Sequence, residues 1–392
     1  MKYSHGQGTS KKMEASSMEN PIIINKSRML EILDDLATTN SMQVLRHELE
    51  ELKHEITSTN GDKKGLRNIE TNRDTFKISQ SYLVKEIRQI QETKTIERGK
   101  YYLNRLKKSV SQKKTSKIND INLNRWKEYD NLITDSLWVL QRRDSTGGHS
   151  SWYWGNFIPQ IPNQLMQRFT KKGEWVVDPF AGSGTTLLEC QRLERNGLGV
   201  ELQKDVVEKV KKVLEGRSSN TQMTLDYEKP LKTASRRNCI TEIEVGDSME
   251  FDFTRFLTMN GVDSAQLLIM HPPYHDIIKF STSEKDLSNA KSTVAFLDLL
   301  GKVVDNTFPI LDKGRYLAVV IGDKYSKGEW IPLGFYVMQE VLKRNYMLKS
   351  IIVKNFEETL GKRNQKDLWR YRALAGGFYI FKHEYILLFK KC

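Results

Sequence analysis

A short apolar run, Trp175-Val176-Val177, ends on Asp178 and passes at once into Pro179-Phe180-Ala181-Gly182-Ser183-Gly184-Thr185-Thr186, after which LLECQRLERN takes up a helical pattern. The order is strand, tight turn, helix. Gly182 and Gly184 let the backbone turn sharply and approach a ligand without Cβ clashes, and the helix that follows presents unpaired amides at its start. The next strand signal, beginning Gly199-Val200, ends near Glu201, one βα unit downstream. Doubly wound sheets place a ribose-hydroxyl acceptor there, so the spacing points to a ligand that carries a nucleoside. A dinucleotide fingerprint fails because Thr186-Leu187 stands where the third glycine would be. A Walker loop fails because no Gly-Lys-Ser/Thr follows the turn.

The residues around this unit keep the same rhythm. GLGVEL, DVVEKVKKVLEG, AQLLIMHPPY, STVAFLDLLGKVVDNTFPIL, RYLAVVIGD and YVMQEVLKRN alternate β-branched runs with amphipathic segments, the pattern of an α/β domain with a largely parallel sheet buried on both faces. LKSIIVKNF and YIFKHEYILLFKK are late strands, read as an antiparallel hairpin at the end of the sheet, and residues 214–240 are read as a surface connection. From Ser27 to about Trp138 the chain is charged, poor in Gly and Pro, and apolar at helical spacing, as in MQVLRHELE and YLVKEIRQIQ. One more helix is expected around Trp126, Tyr129, Leu132, Leu137 and Trp138. Pro, Gly and Ser then cluster before the helix candidate IPNQLMQRFT. We therefore expect a helical accessory region over 1–145, serving DNA binding or oligomerisation, and an α/β domain over 146–392.

The 392 residues include 62 Lys plus Arg against 49 Asp plus Glu, a net charge of +13 that favours a polyanionic partner. Cys190, Cys239 and Cys392 form neither a disulfide framework nor a metal-ligand set. No continuous apolar stretch opens the chain and no 18-residue apolar run follows. A reduced, cytoplasmic protein with no metal and no membrane span is expected.

The second signal is the apolar strand AQLLIM running straight into His271-Pro272-Pro273-Tyr274. Two prolines stop the strand, fix the backbone and leave carbonyl acceptors oriented at the sheet edge where α/β enzymes place their ligands. A nucleobase amino group is a poor nucleophile because its lone pair is delocalised into the ring. Acceptors that hold its hydrogens orient it for in-line attack. Tyr274 offers a flat face for a base extruded from a duplex, worth about 1–3 kcal/mol of stacking.

DPFAGSGTT with GVEL, and HPPY at a later strand end, resemble the S-adenosylmethionine-dependent DNA amino-methyltransferases of restriction-modification systems. The resemblance covers about residues 150–392. It implies a Rossmann-like class I methyltransferase fold with a mostly parallel seven-stranded sheet, behind an N-terminal mainly helical region. It implies S-adenosylmethionine as cofactor, with Phe180 beside its methionine or adenosyl part and Asp178, Gly182, Gly184 and Thr185 shaping the pocket. Asp247 matches the acidic position near the adenine, with Ser248 beside it as a lesser member, the alternative being that they cap a helix beginning at Met249. NFIPQIPNQLMQRF resembles the segment before the glycine loop, making Asn156, Phe157 and Pro159 wall residues. HPPY stands where the family carries Asp, Asn or Ser before Pro-Pro-aromatic, so His271, Pro272, Pro273 and Tyr274 are the catalytic candidates. Neutral His271 accepts one hydrogen bond through one ring nitrogen and loses that acceptor when protonated. The general form of the motif puts cytosine-N4 ahead of adenine-N6 as the methylated position. Asp323, in GRYLAVVIGD, either lines the DNA side of the pocket or is structural.

No insertion long enough for a separate recognition domain interrupts the later sheet. Phosphate contacts are assigned to the basic stretch with Lys107, Lys108, Lys113, Lys114 and Lys117. Base-edge contacts fall to the loops at 281–293 and 357–372, the latter with Lys362, Arg363, Lys366, Arg370 and Arg372. The expected partner is double-stranded DNA, with a cognate restriction endonuclease or a second copy of the chain as a further source of specificity. Two other readings stay open: an RNA or tRNA base amino-methyltransferase, and a catalytically silent DNA-binding protein with the same fold.

Overall fold

A computed structural model describes residues 21–58, 65–67, 71–140, 143–144, 152–153, 155–216, 239–355 and 366–392. The chain divides into two compact units, Met1–Lys117 with Ile121–Asn131, and Ile118–Asp120 with Leu132–Cys392.

In the first unit, strand β1 (Pro21–Asn25) leads into helices α1 (Lys26–Thr38) and α2 (Met42–Thr57), and strand β2 (Thr75–Ser79) into α3 (Gln80–Gln91) and α4 (Ile96–Ser111). Each helix opens on a capping side chain, Asn25, Ser41, Ser79 or Thr95, that accepts the amide three residues on. Leu45, Leu49, Leu52 and Ile56 of α2 lie along one face and are buried with Met29, Leu33, Leu83 and Leu103. Glu86 is buried between Arg105 at 2.6 Å and Lys127 at 2.7 Å. The helical reading of this region missed the antiparallel β1/β2 pair, which is too short to show alternation. The helix expected around Trp126 to Trp138 is absent. Leu123–Glu128 form a 3-10 turn, and Leu137–Trp138 are a strand, β3. Their apolar side chains do not share a face: Trp126 and Leu137 are exposed while Trp138 is buried, its indole N–H on the Asp135 carbonyl at 2.9 Å.

The second unit continues with α5 (Gln160–Phe169), β4 (Trp175–Asp178), α6 (Thr185–Leu193), β5 (Asn196–Glu201), α7 (Lys204–Leu214), β6 (Thr241–Val245), α8 (Phe253–Met259), β7 (Ala265–Met270) and α9 (Thr293–Thr307). Then come β8 (Leu311–Ile321), the small hairpin β9 (Lys324–Ser326) and β10 (Glu329–Ile331), α10 (Leu333–Leu342), β11 (Tyr346–Asn355), α11 (Lys366–Gly376) and β12 (His383–Lys391). The main sheet runs β3-β11-β12-β8-β7-β4-β5-β6. Its β6-β5-β4-β7-β8 part is parallel, and β12 runs antiparallel to both β8 and β11. This is the Rossmann-like class I methyltransferase arrangement, with β3 as an eighth, two-residue strand at the edge. Of the connection expected at 214–240, residues 217–238 lie outside the described residues.

Both faces of the sheet are covered, as the near-continuous apolar strands require. Along β7 and β8, Leu268, Met270, Leu317 and Val319 face one core with Phe296 and Leu300 of α9 and Val337 of α10. Leu267, Ile269, Ala318 and Val320 face another with Ile161 and Leu165 of α5. Among the described residues no helix is long and apolar enough to cross a membrane.

Candidate active site

Four neighbouring parallel strands, β6, β5, β4 and β7, deliver the sequence signals to one edge of the sheet, the carboxyl edge where doubly wound folds bind ligands. Asp178 ends β4 and is fully buried. One carboxylate oxygen accepts the Phe180 amide at 2.9 Å and the other the Thr186 hydroxyl at 2.5 Å, so Asp178 ties the turn to the first helical residues of α6. Burial raises its pKa from the ordinary 3.8 to about 7. Gly182 and Gly184 both have positive φ, 47° and 76°. A Cβ on Gly184 would stand 2.6 Å from Val210 Cγ1, so this glycine answers to conformation and to close packing on α7 together.

Glu201, at the end of β5, accepts the Gly182 amide at 3.1 Å on Oε2 and the Gln203 amide at 3.0 Å on Oε1. Burial raises its pKa. After β6, Asp247 accepts the Met249 amide at 3.0 Å and faces Lys285 Nζ at 3.6 Å, while the Ser248 hydroxyl donates to the Pro179 carbonyl at 2.5 Å. No helix starts at Met249. The nearest, α8, begins at Phe253 with Asp252 as its cap. Ser248 therefore fastens the β6 end to the turn after β4.

Ahead of the glycine turn, Asn156 Oδ1 accepts the Thr185 hydroxyl at 2.7 Å, and its buried Nδ2 has no partner among the described residues. Arg143 holds this segment through the carbonyls of Asn156 at 3.3 Å and Phe157 at 3.1 Å. Pro159 is buried and caps α5. Phe157 is buried with its ring 4.9 Å from the imidazole of His271, which links the segment to the Pro-Pro turn.

After β7, His271 Nε2 lies 3.2 Å from Tyr274 Oη, and Tyr274 donates to Glu384 at 2.7 Å. Glu384, at the start of β12, is paired with Lys354 of β11 at 3.0 Å, and both are buried. Burial takes the His271 pKa down to about 4, against a smaller opposing effect of Glu384. Pro272 is buried and Pro273 partly so. The Tyr274 ring packs on Gly322, where a Cβ would approach Cε2 to 2.8 Å.

Asp323 sits beside this group in a structural role. It accepts the Gly334 amide at 3.0 Å, the Trp330 indole at 3.3 Å and the Tyr385 hydroxyl at 3.2 Å. Lys107 pairs with Asp34, while Lys108, Lys113, Lys114 and Lys117 are exposed. The segment expected as a loop over 357–372 is helical from Lys366 onward, and Arg370 and Arg372 are exposed on that helix, α11, with Arg372 over the Trp369 ring at 5.3 Å. Lys362, Arg363 and the side chain of Lys366 lie outside the described residues.

Arg143, Tyr153, Lys354 and Glu384 were not singled out by sequence reasoning. Tyr153 lies against Gly182, where a Cβ would stand 3.1 Å from its Cε1, and stacks on Phe280 with ring centroids 5.8 Å apart. The available signals were the aromatic run before the glycine unit and the opposite charges interrupting two otherwise apolar late strands.

The strand order is that of a class I methyltransferase fold. A family described as DNA methylase matches residues 17–212, half of the chain, and an RMKL-like methyltransferase domain matches 165–299. The chain belongs to the DNA methylase family, and with it takes S-adenosylmethionine as cofactor. It is 36% identical over 74 residues to the type II methyltransferase M.MjaII of Methanocaldococcus jannaschii, covering 16% of this chain and 14% of that one. It is 33% identical over 85 residues to M.XycI of Xanthomonas campestris pv. cyanopsidis, covering 22% and 27%. It is 35% identical over 68 residues to M2.DpnII of Streptococcus pneumoniae, covering 16% and 25%. The matches thus span about a quarter or less of these relatives' own length.

Proposed function

We propose that the protein transfers a methyl group from S-adenosylmethionine to the exocyclic amino group of a base turned out of double-stranded DNA, cytosine-N4 ahead of adenine-N6. The carrying observation is that the glycine turn, Glu201 and His271-Pro272-Pro273-Tyr274 leave the carboxyl ends of three neighbouring parallel strands, β4, β5 and β7.

The residues fit the cofactor. Gly182 and Gly184 keep Cβ atoms out of the turn, Glu201 and Asp247 supply acidic groups after β5 and β6, and Asn156 Nδ2, unpartnered among the described residues, is a donor beside Thr185. When bound, S-adenosylmethionine supplies an electrophilic methyl on a sulfonium. Asp178 holds the turn in shape, Phe180 and Phe157 give apolar walls, and Ser248 pins the adenine side to Pro179. His271 and the carbonyls of the Pro-Pro turn accept the amino hydrogens, which aims the nitrogen lone pair. Tyr274 bounds the base through its ring.

Residues 1–145 orient the duplex through phosphates, with Lys108, Lys113, Lys114 and Lys117 as exposed contacts, and 146–392 carry the chemistry. Arg370 and Arg372 approach base edges. A cognate endonuclease or a second copy of the chain adds specificity, and the setting is cytoplasmic. The test is transfer of labelled methyl to duplex DNA, compared with RNA, followed by nucleoside analysis. N4-methylcytosine is expected. Transfer confined to RNA overturns the substrate, and DNA binding without transfer to either overturns the enzyme.

A further inference from the structure

His271 occupies the place of an oxygen acceptor, and an imidazole can serve there only if the nitrogen facing the base carries no proton. The side chains behind it settle which nitrogen that is. Lys354 and Glu384 are directly opposed across the antiparallel β11/β12 ladder, buried, and 3.0 Å apart, so Glu384 is an ionised carboxylate and accepts only. Tyr274 has a single hydroxyl proton and gives it to Glu384 at 2.7 Å. Its oxygen is then left to accept from His271, 3.2 Å away, which requires the proton on Nε2. Nδ1 has no hydrogen-bond partner among the described residues.

We propose that Lys354, Glu384 and the Tyr274 hydroxyl are a positioning chain that fixes neutral His271 as the Nε2–H tautomer and presents bare Nδ1 as the acceptor for one hydrogen of the target amino group. The role of Nδ1 rests on the methyl-transfer reading above. The tautomer itself does not. Glu384 and Lys354 act through Tyr274 and His271 and touch no substrate. The Phe157 ring also packs on the imidazole, with ring centroids 4.9 Å apart. The depressed pKa of His271 agrees with this arrangement, since the neutral ring is the one that keeps an acceptor.

The experiment uses the full chain with 15N-labelled histidine, the His271 signals being those that vanish in His271→Asn. Wild type is expected to show a protonated Nε2 and an unprotonated Nδ1. The pair is then replaced together, Lys354→Met with Glu384→Leu, so that neither charge of the pair is left without the other. Tyr274 then loses its acceptor and is free to donate to Nε2, and His271 should shift toward the Nδ1–H form. The expected kinetic result is a fall in kcat of about tenfold or more, with KM for S-adenosylmethionine unchanged, as when a catalytic histidine loses the group that sets its tautomer.

Asn at position 271 has a carbonyl oxygen and no tautomer to set. In the His271→Asn background the same double replacement should therefore change kcat little, whereas loss of sheet support would lower both backgrounds alike. A wild-type Nδ1–H signal overturns the proposal, as does an equal loss in the two backgrounds. If wild type transfers no methyl group, the function falls and the histidine spectra still decide the tautomer.

Discussion

The Gly182 amide donates to Glu201 Oε2 across 3.1 Å, so the carboxylate at the end of β5 holds the turn at the end of β4. Its other oxygen takes the Gln203 amide. Glu201 thus ties the end of β5 to the glycine turn. Glu201→Ala should leave one buried and one part-buried amide without their acceptor, costing about 1–3 kcal/mol of stability, and should also weaken cofactor binding. Glu201→Gln, with one carbonyl oxygen, should lose less stability but still lose affinity. Denaturant unfolding and calorimetric titration with S-adenosylhomocysteine separate the effects, and unchanged affinity in both variants would remove Glu201 from the cofactor site.

Asp178 gives a pH dependence of defined sign. Its folded pKa of about 7 stands above the ordinary 3.8, because the carboxyl is buried. Between those values the folded chain holds a proton that the unfolded chain has released. The associated stability is therefore complete below the unfolded value and is lost as pH rises through about 7. Asp178→Asn cannot titrate, so the cofactor-free variant should show a smaller drop in urea midpoint between about pH 5 and pH 8 than wild type. Equal drops would place the proton elsewhere.

His271 gives the opposite shift. Its pKa is lowered to about 4 by burial, and the charged groups facing it through Tyr274 are Glu384 and Lys354. If the neutral ring is the acceptor, kcat should stay level as pH falls through about 6.5, where an ordinary histidine protonates. A pH-rate profile that halves near that value would show that His271 titrates freely.

The α/β unit was legible because its strands are apolar on both faces and its two turns carry residues that no ordinary connection needs. Asp178, Glu201, Asp247 and His271 all reach the same sheet edge because parallel strands carry their ends to one side. The Lys354 and Glu384 pair was not read, although LKSIIVKNF and HEYILLFKK were both recognised as strands. Its meaning depends on register, and only in the hairpin do the two residues stand opposite each other. The false helix around Trp126 to Trp138 has a related cause. Large apolar residues at mixed helical spacings do not say whether they share a face, and Trp138 instead reaches its core from a two-residue strand beside β11. Strands β1 and β2 gain their stability from pairing with each other, which a local pattern does not record.

Gly184 combines two constraints, a φ of 76° and the 2.6 Å approach a Cβ would make to Val210. Gly184→Ala should destabilise the protein by about 1–3 kcal/mol, part from backbone strain and part from the clash. Adding Val210→Ala relieves the clash and leaves the strain. The double variant should therefore unfold at a higher temperature than the sum of the single effects predicts, and strict additivity would show that the two residues do not press on each other.

Lys108, Lys113, Lys114 and Lys117 are exposed on and just beyond the end of α4, and none has a carboxylate partner among the described residues. Lys107, beside them, is paired with Asp34 and serves as the internal comparison. If the four touch phosphates, replacing them with Gln should weaken binding to all duplexes alike and flatten the dependence of log Kd on log salt. Every phosphate left without its lysine should lower the slope by about 0.9. Lys107→Gln should alter the slope less, since its charge is already held. The affinity ratio between a methylatable duplex and an unrelated one should survive, because phosphate contacts position the protein without reading bases. Binding measured across a salt series with both duplexes checks every part: an unchanged slope would return the four lysines to a solvated face, and a collapsed ratio would move them into sequence reading.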